Sequence, residues 1–175
     1  WSSDVCSSDL DPTVHITLLE AGVPDNSVLI HCPAGLAALA RGTKLAWHFE
    51  SVAQAGLNGR SNYQPRGKVL GGTSVLNYML YVRGNKGDYD EWRDLGNPGW
   101  SYRDVLPYFK SSEDQERGAD AYHGTGGPQK VSDIRTRRAV CDAFIAAAEE
   151  IGIPRNDDFN GARQEGAGYF QLTVH

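Results

Sequence analysis

Cysteine is scarce in this 175-residue chain: Cys6, Cys32 and Cys141 are widely spaced and odd in number. That pattern excludes a disulfide framework and a thiolate zinc site, and it makes a reducing cytoplasm the expected compartment. Basic charge is not in excess either. Seventeen Lys and Arg stand against 22 Asp and Glu, for a net charge of −5, so the electrostatic footprint of a nucleic-acid binder is missing. No apolar run approaches the length needed to cross a bilayer. No Asn-x-Ser/Thr acceptor, internal repeat or low-complexity linker occurs. The five histidines, His15, His31, His48, His123 and His175, lack metal-ligand spacing. Asp157, Asp158 and Glu165 lack a calcium-loop pattern and read as a solvated turn. What remains, at 40% hydrophobic and 22% charged residues, is an ordinary globular composition with enough chain for a real core.

One further absence bears on function. No glycine occurs before Gly22. Val14, Ile16 and Leu18 alternate with His15 and Thr17, and Leu19, Glu20, Ala21 and Gly22 follow. This reads as a short strand ending in a carboxylate and a turn. In a dinucleotide-binding βαβ unit, such a carboxylate hydrogen-bonds the adenosine ribose hydroxyls. It would repel a 2′-phosphate, which favours FAD or NAD over NADP. The alternative is a surface carboxylate capping the next turn. The Gly-rich phosphate loop that belongs about twenty residues upstream is not in this chain. Residues 1–10, WSSDVCSSDL, repeat Ser-Ser-Asp and have no basic start of a signal peptide; they read as a non-native or damaged lead.

The densest motif is RGKVLGGTSVLNYMLYVRGNKGDYD, residues 66–90. Gly71 and Gly72 carry no Cβ, so a backbone there can lie against a flat or charged ligand. Thr73 and Ser74 add hydroxyls, and the peptide N–H groups around them can point at a phosphate or a ring oxygen. The bland alternative is a glycine turn between buried segments, with Thr73 and Ser74 capping a helix. Downstream lie Ala121-Tyr122-His123-Gly124, Gly126-Gly127-Pro128, the stretch 153–161 (IPRNDDFNG) and the stretch 164–168 (QEGAG).

Taken together, these stretches resemble the glucose–methanol–choline (GMC) family of FAD-dependent oxidoreductases, in its choline- and alkanol-dehydrogenase branch. The resemblance covers about residues 11–175 and stops before the C-terminal region that supplies the family's catalytic base. It implies an α/β fold, a partial Rossmann-like FAD-binding domain with the start of a substrate-binding domain. By the same resemblance, residues 11–95 belong mainly to the FAD part and 96–175 begin the substrate part. It further implies that Val69, Leu70, Gly71, Gly72, Thr73 and Ser74 line the cofactor. Asn77, Tyr78, Met79 and Leu80 would flank the isoalloxazine, with Glu20 at the ribose. Some members carry a flavin-linking histidine at or beside the Asn77 position. Asn77 followed by Tyr78 therefore implies noncovalent FAD. The complete enzyme would oxidise a small primary alcohol to an aldehyde, while this polypeptide alone would be inactive. The alternatives are a different FAD or NAD enzyme, or a non-catalytic truncated fragment.

The rest of the chain reads coarsely. Residues 33–40 suggest one short helix, and 45–65 a strand–turn–strand or an extended lid. Asp88 with Glu91 resembles a capping box, with Gly96 closing that helix. Ser101 with Asp104 opens another, which Pro107 should kink or end. Residues 137–151 form the clearest helix, with Val140, Phe144, Ala147, Ala148 and Ile151 as a core-facing stripe and Gly152 and Pro154 as the stop. Trp47, Trp92 and Trp100 read as core or packing residues. Residues 171–174 look β-like. His15 should face outward, and His123 should donate to a backbone carbonyl.

Overall fold

The computed structural model describes residues 13, 15, 17–39 and 43–173, and its chain divides between Tyr78 and Met79 into two units. The lead 1–10 lies outside the described residues, as do Val14 and Ile16 of the expected first strand. Of that strand, His15 and residues 17–20 are described, carry no strand pairing and are exposed. Ladder pairing begins instead at Val23, bridged in parallel to Val69.

In the first unit, short helices α1 (Val28–His31) and α2 (Leu36–Leu39) flank a 3-10 turn at Pro33–Gly35. The expected helix over 33–40 is thus broken into two pieces, and α1 precedes it, started by the Ser27 hydroxyl accepting from the Leu29 N–H. Strands β1 (Ala46–Glu50) and β2 (Tyr63–Gly67) pair antiparallel in register Ala46↔Gly67 to Glu50↔Tyr63, so the strand–turn–strand expectation holds. Among the described residues of this unit, Leu39, Ala46 and Val69 are the buried hydrophobic ones.

The second unit opens on β3 (Leu80–Tyr81). Helix α3 (Lys86–Asp94) is capped by Asn85, whose side-chain oxygen accepts from the Gly87 N–H. The expected cap at Asp88 is incorrect: Asp88 sits in the first turn, because Asn85 reaches the free N–H groups first. Helix α4 (Tyr102–Ser112) does start in the Ser101–Asp104 capping box, but Pro107 does not end it. Pro107 forfeits the bond to the Arg103 carbonyl, and the helix continues to Ser112. Strands β4 (Glu113–Gln115) and β5 (Gln129–Val131) pair in parallel. Helix α5 (Ala139–Glu150) follows, with Gly152 at φ 87° just past its end, and β6 (Gln171–Leu172) returns antiparallel to β3.

Two core expectations hold only in part. Helix α5 buries Ile145 and Ala148, while Val140, Phe144 and Ile151 are more than 70% exposed. Of the expected stripe Ala148 is buried, Ala147 is exposed like the other three, and Ile145 from outside the stripe joins Ala148 in the interior. Trp92 and Trp100 are about half exposed and pack edge-on against each other, so of the two expected roles they take packing and not core. Trp47 lies at the surface under the Lys68 ammonium, 4.2 Å from its ring centre. Polar side chains dominate the interior of the second unit: Arg83, Glu113, Gln115, His123, Asn156, Asn160 and Gln171 are all buried. Buried polar groups on this scale persist only when they satisfy one another.

Candidate functional site

In the first unit, the segment carrying Glu20 runs beside the segment that leads into the glycine loop. Val23 bridges Val69, and the Leu70 N–H donates to the Val23 carbonyl at 2.9 Å. The two backbones approach so closely at Gly22 that a Cβ there would overlap the Lys68 carbonyl. Glu20 itself is exposed, and one of its carboxylate oxygens accepts from the Gly22 N–H at 2.7 Å. It therefore caps the turn, and the two readings of Glu20 are compatible: one oxygen holds the turn while the carboxylate faces solvent.

Past the bridge, Val69 is fully buried and anchors the loop. Gly71 (φ 90°) and Gly72 (φ 57°) both adopt the left-handed region that glycine enters without cost. Residues Gly72–Val75 then form one 3-10 turn. The loop is braced from beneath: Gly67 presses against the Gly72 carbonyl, and its N–H donates to the Thr73 hydroxyl at 3.1 Å. The Ser74 hydroxyl donates to the Gly71 carbonyl, and the Asn77 amide donates to the Ser74 carbonyl at 2.9 Å. Both hydroxyls thus hold the loop's shape. Gly72 has no atom within 4 Å of the place where a Cβ would stand, which leaves an open backbone face. Tyr78 is 75% exposed.

Met79 and Leu80, the last two residues expected at a cofactor, belong to the second unit. Met79 has a left-handed φ of 60°, with its carbonyl accepting from the Thr173 N–H at 2.8 Å. Leu80 is half exposed and pairs with Leu172.

A second cluster, missed in the sequence, lies just beyond. The Arg83 guanidinium meets Glu113 at 2.9 Å, both side chains being buried. Glu113 accepts from His123 Nδ1 at 3.1 Å, and Asp158 accepts from His123 Nε2 at 3.0 Å. The Asn160 N–H donates to Asp158 at 2.9 Å, and the Arg83 N–H donates to the Asn160 side-chain oxygen at 2.8 Å. The five residues close a ring. His123 therefore does not donate to a carbonyl as expected. Two carboxylates face its two ring nitrogens, so both nitrogens carry protons, and Asp158 and Glu113 raise its pKa to about 9. Burial alone would raise the Asp158 carboxyl, but His123 and the Asn160 N–H hold it below its ordinary value. Asp158 is thus part of an interior network rather than a solvated turn. A polar cavity of about 170 Å³, lined by Gln115, Arg117, Asp120, His123 and Asp158 among others, adjoins it. Among the described residues no cluster of metal-ligating side chains occurs. No described helix is long and apolar enough to cross a membrane.

The loop, the Val23–Val69 bridge and the downstream ring all fall within one matched stretch of sequence. Residues 15–175 match the GMC oxidoreductase family. The chain belongs to that family. It is 44% identical over 162 residues to the oxygen-dependent choline dehydrogenase of Photobacterium profundum, covering 91% of this chain and 28% of that protein. It is 43% identical over 164 residues to an alcohol dehydrogenase [acceptor] of Pseudomonas putida, covering 93% and 30%. Among solved structures, pyridoxine 4-oxidase from Mesorbium loti superposes with a TM-score of 0.89 at 33% identity, over 95% of this chain and 33% of that one. The chain thus spans less than a third of the length of these curated relatives. Its mixed helix-and-strand fold is that of a GMC oxidoreductase N-terminal region.

Proposed function

We propose that this chain is the cofactor-binding N-terminal part of an FAD-dependent enzyme that oxidises a small primary alcohol to an aldehyde. The observation that carries the reading is the glycine loop, with two consecutive left-handed glycines and an open backbone face at Gly72. A flat ligand can lie on such a face without meeting a side chain. Glu20 would hydrogen-bond the ribose hydroxyls. Val69, Leu70, Gly71, Gly72, Thr73 and Ser74 would run along the cofactor, while Asn77, Tyr78, Met79 and Leu80 flank the isoalloxazine. When bound, FAD supplies the acceptor for the hydride that leaves the alcohol carbon. Neither Asn77 nor Tyr78 offers an imidazole nucleophile, which supports noncovalent binding. Residues 11–95 would form the FAD-binding region and 96–175 the start of the substrate-binding region. Free cysteines at Cys32 and Cys141 suit a cytoplasmic setting.

The test is Gly72→Val in the complete parent enzyme. A branched side chain at φ 57° is strained and would also fill the open face. The expected result is purified protein without the visible absorbance of flavin. Full flavin content in a folded Gly72→Val protein would remove the loop from the cofactor site.

A further inference from the structure

Only two described residues other than glycine have a positive φ: Asn58, in a turn where asparagine is at home, and Met79. Met79 carries a Cβ, so a left-handed backbone there is held by neighbouring structure. On one side the imposing element is β6 and the residue after it. Leu172 and Gln171 pair with Leu80 and Tyr81, and the Thr173 N–H grips the Met79 carbonyl. The pairing with β6 stops at Tyr81 and Gln171, and Asn160 continues it. Its Nδ2 donates to the Tyr81 carbonyl at 3.1 Å, and its Oδ1 accepts from the Arg83 N–H at 2.8 Å. One buried side-chain amide thus reproduces both bonds of a neighbouring strand. The ring of Asp158, His123, Glu113 and Arg83 fixes where that amide stands.

We infer that Asn160 is a positioning residue for flavin chemistry: by holding Tyr81 and Arg83 it keeps Met79 left-handed and so directs the backbone of Met79 and Leu80 along the isoalloxazine. This rests on the assignment of Met79 and Leu80 to the cofactor. Asn160 acts through the backbone of Tyr81 and Arg83, two and four residues after Met79. Misplacement of a reacting group by about 1 Å can cost roughly a hundredfold in rate, so a lost clamp is readable in turnover even when flavin stays bound.

The experiment uses the complete flavoenzyme that contains this chain. Asn160→Asp keeps the size and the acceptor for Arg83 but replaces the donor to Tyr81 with a second acceptor. It is expected to retain flavin and to leave KM for the alcohol nearly unchanged. Its kcat should fall about ten- to a hundredfold, with a shifted visible flavin band. Adding Met79→Gly supplies the key readout, because glycine holds a positive φ without a clamp. In that background Asn160→Asp should change kcat by less than about threefold. Unchanged kcat and spectrum in flavin-loaded Asn160→Asp would overturn the inference. So would an equal loss with and without Met79→Gly, which would place the effect elsewhere. If the Asp variant does not fold, Asn160→Ser is scored by the same measures. Failure of both to fold would make Asn160 purely structural and also overturn it. An unmodified enzyme that binds no flavin would instead remove the cofactor assignment on which the inference rests.

Discussion

His123 is the residue whose chemistry the structure changes most. As a lone histidine before a glycine turn it looks like a donor to some nearby carbonyl, but Glu113 and Asp158 sit on its two nitrogens. Gln115 is the remaining polar neighbour, and its amide is already engaged with Gln171. An imidazolium is the form that satisfies both carboxylates, hence the rise to about 9 from near 6.5. The unfolded chain releases that proton at lower pH than the folded one. The stabilising effect of His123 is therefore complete below about pH 6.5 and lost as pH rises through about 9. Thermal unfolding followed at pH 6, 7.5 and 9 should show a falling midpoint across that window. The slope should be visibly reduced in His123→Gln, which cannot carry the charge. A midpoint that declines equally in both proteins would refute the charged ring.

At the scale of elements, the parts readable from the sequence were those written into neighbouring residues. The capping box of α4 joins residues three apart, and the stop of α5 is a glycine immediately after it. The β1–β2 hairpin follows from aromatic and polar positions on either side of a turn that contains Gly56 and Gly59. The glycine loop was likewise legible, because its motif and its geometry occupy the same few positions. The ring of Arg83, Glu113, His123, Asp158 and Asn160 was not. Its bonds join residues up to 77 positions apart, and no local periodicity marks them. Spacing revealed only part of the buried side of α5. Of the stripe Val140, Phe144, Ala147, Ala148 and Ile151 only Ala148 faces the interior, together with Ile145. This yields a contrast that denaturant unfolding of the 175-residue polypeptide can measure. Ile145→Ala should cost about 2–5 kcal/mol, as a buried truncation does. Phe144→Ser, at 71% exposure, should stay within about 0.5 kcal/mol. A reversal of the two would mean that the helix presents its other face.

For the whole molecule, the question is whether this polypeptide can turn over an alcohol by itself, and the expected answer is no. Alcohol oxidation needs a bound hydride acceptor and a base that takes the hydroxyl proton. The phosphate end of a dinucleotide site is normally held by a Gly-rich turn and a helix N-terminus before the ribose carboxylate. The sequence before Glu20 contains no glycine. The base is equally poorly provided. Among the described histidines, His15 and His31 are exposed, and His48 is spent on Tyr63 and the Thr43 carbonyl. His123 is buried, with both nitrogens donating to carboxylates, so it has no lone pair to accept a proton. Lack of a general base alone typically costs about a hundred- to ten-thousandfold in rate, and loss of the phosphate grip on flavin would compound it. Purified polypeptide, incubated with excess FAD, a panel of primary alcohols including choline and an artificial electron acceptor, should therefore match the free-flavin blank. Turnover above that blank, lost on changing His123 to Gln, would show that His123 can release its ring partners and act as the base, and both the ring's charge assignment and the expected inactivity would fall together.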